Sequence, residues 1–279
     1  APYGSPRFTE KIKKHIININ NDGSFTLNMS YFEYCTGLTM TSKKFHNLFS
    51  RNPRESEAEI SQFDMDIAAS IQAVIEEVVI KMARNIKEET GENNLCLAGG
   101  VALNCVVNGA LVRSKIFDKV WVQPAAGDAG GSLGAAFATH HIMLGNDRFI
   151  KKNSDQMQGT YLGPNFTHQE IKDALNRSNA TYIELNYNQL IDKAAKYISQ
   201  DKIIGWMNGR MEFGPRALGN RSIIASPKSA NMQRDLNYKI KYRESFRPFA
   251  PSILLEDLSD WFETNEESPY MLFVSYLSK

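Results

Sequence analysis

Three arginines and one carboxylate share a glycine-rich stretch between Gly205 and Ser222, directly after an apolar run. Guanidinium groups are planar forks of N–H donors that keep their charge at any physiological pH. A loop that gathers Arg210, Arg216 and Arg221 can therefore surround a phosphate or an acyl phosphate. Glu212 can hold one of these arginines in place, or accept from a ribose hydroxyl or another ligand N–H. The competing reading is a solvated loop whose ion pairs contribute little. Trp206, Phe213 and Leu218 weigh against it, because they give the loop apolar surface to pack inward.

A second cationic stretch runs from Asn237 to Ser252. Lys239, Lys241 and Arg243 alternate with other residues, so a strand would put all three on one face. Arg247 stands just before Pro248. Residues 201–250 hold ten Lys and Arg against four Asp and Glu, whereas the next 29 hold six acidic residues and one Lys. So local a surplus points to a polyanionic ligand. Nucleic acid calls for a longer basic surface with exposed aromatic rings, so a small phosphate compound fits better.

Two further stretches contain little but small residues. Leu95 to Asn104 is a short apolar run broken by Gly99-Gly100 before a helical pattern. Paired glycines at a helix start let backbone N–H groups approach a phosphate or an adenosine, and Asn104 lies one turn on. The same pair also makes a plain tight turn, and both readings stay open. In Gln123 to Ala136, where nearly all side chains are small, Asp128 is the one charged residue. A carboxylate there can bind a hard divalent cation that also contacts phosphate oxygens. It can equally cap the following helix, which is the commoner use of such an Asp. One carboxylate does not separate Fe, Mn, Mg and Zn.

The elements that must position these residues follow from periodicity. Residues 24–33 partly alternate, as a strand does. Glu57 to Glu89 repeats apolar residues at three- and four-residue steps and stops at Gly91, the pattern of a long helix. Asn94 to Ala98 and Lys119 to Gln123 read as buried strands. Helices are expected from Val101 to Ser114 and from Ser132 to Leu144. Gly145 to Gly163, with Lys151-Lys152-Asn153, reads as a linker. Beyond it, Thr167 and Glu170 have capping-box spacing. Strands are expected at 182–185, 202–207 and 271–277, and helices at 188–199 and 230–238. Such alternation implies an α/β fold with mostly parallel pairing.

The 279 residues carry a net charge of +1, which does not favour nucleic acid or a membrane surface. No apolar run approaches the roughly 20 residues of a membrane span. The first residues have no apolar segment of signal-peptide type. Cys35, Cys96 and Cys105 are too few and too irregular for a disulfide framework, and fit a reducing cytoplasm. His15, His46, His140, His141 and His168 have no metal-ligand spacing and read as structural or exposed. The chain does not start with Met, and its last residues look like a strand, so both ends read as cut from a longer protein.

Ala1 to Arg7, Leu97 to Asn104, Gly127 to Ala136, Gly209 to Ser222 and Phe246 to Ser252 together resemble the NodU/CmcH/TobZ carbamoyltransferases, nearly from end to end. The resemblance implies the C-terminal half of a Kae1-like domain of the actin/Hsp70/sugar-kinase type over residues 1–150. It implies a C-terminally truncated YrdC-like α/β domain over 151–279. It further implies that carbamoyl phosphate and ATP form carbamoyl-adenylate, whose carbamoyl group passes to a hydroxyl of a sugar or natural-product acceptor. On this resemblance Asp128 is a metal ligand, and Gly99, Gly100 and Asn104 form the nucleotide-side turn. Arg210, Arg216, Arg221, Lys241, Arg243 and Arg247 fall in the phosphate-binding part; Arg210, Glu212, Arg216 and Arg221 are the expected catalytic residues, and Lys241, Arg243, Arg247 and Ser252 are expected to bind substrate or nucleotide. ATP and a divalent metal ion are the implied cofactors, with small molecules as partners and a homodimer allowed. The family's paired metal histidines would precede Ala1, so the chain is expected to be inactive alone. Three alternatives stand beside this reading: a non-catalytic phosphate-binding module, threonylcarbamoyl transfer to tRNA, and a sugar kinase.

Overall fold

The computed structural model describes residues 1–55, 58–150 and 154–278, so Glu57 and the Lys151-Lys152-Asn153 run lie outside the described residues. The chain condenses into two compact units. The first comprises Ala1–Cys96 and Val106–Trp121, the second Leu97–Cys105 and Val122–Lys279.

The first unit begins with helix α1 (Thr9–His15) and a hairpin of β1 (Ile17–Ile19) and β2 (Phe25–Leu27). The hairpin is antiparallel, with Ile17 opposite Leu27 and Ile19 opposite Phe25. The strand expected over 24–33 is therefore only three residues long. Its partner, β1, does alternate, as Ile17-Asn18-Ile19, but three residues are too short a run for the period to stand out. Gly23 turns the hairpin at φ +85°, where a Cβ would come within 2.4 Å of the Met82 nitrogen. A short helix α2 (Lys43–Leu48) precedes α3 (Gln62–Thr90), the longest element.

The ends of α3 are set by local chemistry. The Asp64 N–H donates to the Ser61 hydroxyl, and Asp64 Oδ2 accepts the Ser61 backbone N–H at 2.8 Å, a reciprocal capping box. Gly91 closes the helix at φ +68°, the left-handed conformation that glycine adopts without Cβ strain. The helix thus starts five residues after the expected Glu57, because Ser61 satisfies its first free N–H groups. Its buried stripe includes Ala69, Val74, Val78 and Ala83. Val74 packs in a core with Ile12, Ile16, Tyr31 and Phe49.

Two polar residues are buried in the same stripe. Asp66 is 2% exposed, accepts the Ser5 N–H at 2.8 Å and pairs with Arg7 Nε at 2.6 Å. Ser70 Oγ accepts the Phe8 N–H at 3.0 Å. These contacts tie the chain's first residues onto α3. The hydrogen bonds to Ser5 and Gln62 outweigh desolvation and, with Arg7, hold the Asp66 carboxyl below the usual range.

Strands β3 (Asn94–Leu97) and β4 (Lys119–Val122) pair with each other. The Asp118 N–H donates to Asn93 O and the Gln123 N–H to Leu97 O, so both strands run the same way. This is the expected parallel pair. Between them lie a 3-10 turn, Gly100–Leu103, and α4 (Cys105–Ser114). The single helix expected from Val101 is broken at Asn104, whose ψ of 90° is not helical.

In the second unit, α5 runs from Asp128 to Phe137 and continues as a π-helical turn, Ala138–Met143. It begins four residues earlier than expected, at Asp128 itself. The capping boxes of α6 (His168–Arg177) and α7 (Tyr187–Ser199) are formed by Thr167 with Glu170 and by Asn186 with Gln189. Strands β5 (Ile204–Met207) and β6 (Arg221–Ile224) are antiparallel, Trp206 facing Ser222. Parallel pairing is thus not the rule, because β5 returns through the arginine loop as a hairpin.

No strand forms at 182–185, and the 271–277 run makes only a bridge from Phe262 to Leu277. The helix expected over 230–238 divides into α8 (Met232–Asp235) and a π-helical turn, Leu236–Ile240; a last short helix is α9 (Leu258–Trp261). Beyond Asn153 the expected linker is packed at two points, Met157 and Thr160, which are 8% and 1% exposed. Among the described residues no helix is long and apolar enough to cross a membrane.

Candidate functional site

In the second unit, three of the small-residue and arginine segments meet. The Gly99 N–H donates to Ala126 O at 2.8 Å, tying the glycine turn to the loop before Asp128. Gly99 has φ +101°, a conformation that L side chains avoid, and no atom lies within 4 Å of where its Cβ would be. Gly214, at φ +125°, brings the arginine loop against the same stretch; a Cβ there would lie 3.4 Å from Pro124 O and from Ala125 Cβ. Arg216 completes the junction. Its Nη2 donates to Leu103 O at 3.2 Å, and its Nε is buried without a hydrogen-bond partner. A buried charged N–H of this kind is costly unless a ligand or water meets it.

The arginine loop is held by its own carboxylate. Glu212, 8% exposed, accepts three backbone N–H groups on Oε1: Leu218 at 2.9 Å, Asn220 at 2.7 Å and Arg221 at 3.1 Å. Burial works to raise its pKa, but these donors prevail and hold it below the usual glutamate range. Of the two roles read for Glu212 from sequence, holding an arginine side chain is not what the loop shows: its donors come from the loop backbone. The Arg221 guanidinium donates to the carbonyls of Asn208, Gly209 and Asn220, so it closes the β5–β6 loop. Arg210 is exposed, its carbonyl accepting from Asn220 Nδ2.

The loop rests on a segment that sequence reading assigned to the linker. The Phe213 N–H donates to Thr160 O at 2.7 Å. Gly163 N–H to Met211 O and Met211 N–H to Pro164 O extend the pairing. Tyr161 donates its hydroxyl to Leu218 O at 2.9 Å. Tyr270 donates to Asp155, which also accepts the Met157 and Gly159 N–H groups. The apolar residues Met157 and Tyr161 were the available signal that this stretch packs.

A second cationic group is built on Asn237, which is fully buried. Its Oδ1 accepts Arg243 Nε at 2.7 Å, and its Nδ2 donates to Ser245 O at 3.1 Å and Arg247 O at 2.8 Å. Arg243 also lies over the Phe249 ring at 5.1 Å, and Arg247 Nε pairs with Glu244 at 2.8 Å. The expected strand with Lys239, Lys241 and Arg243 on one face is absent. Lys239 lies in the π-helical turn and pairs with Asp235, Lys241 ends that turn, and Arg243 follows in irregular backbone. Asn237 escaped the sequence reading, although an Asn inside a helical run is itself a weak signal. Ser252 is exposed in irregular backbone.

Asp128 is exposed as the first residue of α5, after Gly127 at the N-cap position. Among the described residues no group of three or more His, Cys, Asp or Glu side chains converges to hold a metal. Asp128 can supply one ligand, and the residues present do not fit a complete metal centre.

The glycine turn, the arginine loop and the cationic segment after Asn237 all lie in sequence that other proteins share. A family profile described as "Carbamoyltransferase N-terminus" matches residues 1–137, and one described as "Carbamoyltransferase C-terminus" matches 195–279. The chain belongs to the carbamoyltransferase family. Among its relatives, uncharacterized protein sll1178 of Synechocystis sp. is 52% identical over 277 residues, 99% of this chain and 45% of that protein. Nodulation protein NolNO of Sinorhizobium fredii is 36% identical, over 98% of this chain and 38% of its own length. Nodulation protein NolO of Bradyrhizobium diazoefficiens is 34% identical, over 98% and 48%. The chain therefore spans less than half the length of these relatives.

Proposed function

We propose that this chain is part of an ATP-dependent O-carbamoyltransferase, residues 1–150 belonging to a Kae1-like domain and 151–279 to a YrdC-like one. In this reading carbamoyl phosphate and ATP give carbamoyl-adenylate, with pyrophosphate and phosphate released and one water consumed. The hydroxyl oxygen of a sugar or natural-product acceptor then attacks the carbamoyl carbon. The carbon–oxygen bond to AMP breaks, and the hydroxyl proton is lost.

The observation that carries the reading is Arg216. It joins the arginine loop to the glycine turn, and its buried Nε lacks a protein partner. That is a fixed, partly desolvated cation of the kind that holds phosphate oxygens and stabilises charge on a departing pyrophosphate. Arg210, Lys241 and Arg243 supply further positive charge, and Glu212 keeps the loop in shape. Asp128 offers one carboxylate donor to a divalent cation. We place the protein in the cytoplasm.

Titrating the chain with ATP tests the assignment. Arg216→Ala is expected to weaken binding at least about tenfold, roughly 1.4 kcal/mol. Unchanged affinity would remove the phosphate-binding role. On this reading the chain alone does not turn over, and a carbamoyl-transfer assay showing many turnovers would overturn that part.

A further inference from the structure

We infer that Asn237 is a positioning residue, the buried brace that orders the cationic segment Lys241–Arg247. The inference rests on the proposed anion-binding role of that segment only for its use, not for its geometry.

Asn237 uses both polar atoms of its amide group. Oδ1 takes Arg243 Nε at 2.7 Å, so the guanidinium is fixed at its stem while its outer N–H groups remain outside this bond. Nδ2 holds two carbonyls, those of Ser245 and Arg247. The backbone carbonyl of Asn237 accepts the Arg243 N–H at 3.0 Å. One fully buried residue thus fixes its chain neighbours at three points six to ten positions later.

This arrangement explains why the preceding helix widens. The Lys241 N–H donates to Leu236 O, five residues back, a π-type bond that ends the helical run just before the segment. Leu236 and Asn237 are both buried there, whereas Tyr238, Lys239 and Ile240 are exposed. Gln233, one turn earlier on α8, adds a weaker brace through Nε2 to Arg247 O at 3.2 Å. Phe249 supports the Arg243 guanidinium by its ring face.

Long cationic side chains lose rotamer freedom when they bind an anion, and a cation ordered beforehand loses less. Asn237 supplies that order for Arg243 without offering any charge of its own. An Asp keeps the acceptor for Arg243 but cannot donate to Ser245 and Arg247. An Ala loses all three side-chain bonds. The two substitutions therefore separate orientation of the guanidinium from closure of the turn.

The test uses the full chain, with nitrogen-15 spectra of the arginine Nε–H groups and amide hydrogen exchange over residues 241–247. Amides of the β5–β6 hairpin report that the unit stays folded. In Asn237→Ala the Arg243 Nε–H signal is expected to lose its protection and exchange at 241–247 to quicken at least about tenfold. In Asn237→Asp the Arg243 signal should persist while the Ser245–Arg247 turn loosens. Unchanged exchange and an unchanged Arg243 signal in Asn237→Ala overturn the inference, as does loss of the Arg243 signal in a folded Asn237→Asp. ATP titration of the same variants separates the two readings. A segment that loosens with no change in ATP affinity upholds the brace and removes the segment from the proposed nucleotide site.

Discussion

Arg216 donates from Nη2 to the carbonyl of Leu103, 113 residues earlier in the chain, at 3.2 Å. This bond joins the glycine turn to the arginine loop and leaves the buried Nε of the same guanidinium without a hydrogen-bond partner. Arg216→Lys keeps a positive charge but loses the planar fork, so it is expected to behave nearly as badly as Arg216→Ala. Titration with ATP at two salt concentrations checks this. An affinity for Arg216→Lys within about twofold of the parent's would show that charge alone suffices.

Glu212 links loop shape to acid stability. Its folded pKa lies below the ordinary value, so its contribution is complete above about pH 4.3 and is lost as the pH falls through the folded value. Glu212→Gln is expected to cost about 1–3 kcal/mol at neutral pH, because three N–H donors lose a charged acceptor. It should also flatten the acid limb of stability. Urea unfolding at pH 7 and below pH 4 measures both, and an unchanged acid limb would count against the assignment.

Tyr270 and Asp155 form the brace beneath the 157–161 turn. Burial, and then the bond to Asp155, raise the Tyr270 phenol above its usual range. Its contribution to stability is therefore full below about pH 10 and fades as the pH rises toward the folded value. Tyr270→Phe is expected to destabilise the protein by about 1–3 kcal/mol, since Asp155 loses a buried donor. Ultraviolet titration should show one late-ionising tyrosine that the variant lacks.

Gly130 allows α5 to start where it does. A Cβ at this position would lie 2.1 Å from Ala125 O, a backbone atom that cannot swing aside. Gly130→Ala is expected to displace the first turn of α5, and Asp128 with it, at a cost of about 1–3 kcal/mol. Thermal unfolding and amide exchange at residues 128–134 give the readout. A variant as stable as the parent would mean that the turn relaxes freely.

Several features were legible in the sequence because their causes are local. The end of α3 at Gly91 and the capping box of Thr167 with Glu170 depend on residues within one turn. So does the apolar run of β5, and the five motif segments announced the family. Other features depend on partners distant in the chain. The alternation of Lys239, Lys241 and Arg243 suggested a strand, but a buried Asn237 with partners up to ten residues away makes a π-helical turn instead. The 154–163 stretch looked like a linker because its polar composition conceals Asp155, Thr160 and Tyr161, which bond to residues 53 to 115 positions onward. Glu212 was recognisable as a group that matters, yet only the folded loop decided that backbone N–H groups, not guanidiniums, would satisfy it. Residue type and short spacing determine which groups can do chemistry. Which of them are buried, and therefore must find a partner, is decided by tertiary packing alone, since water satisfies any polar group left outside.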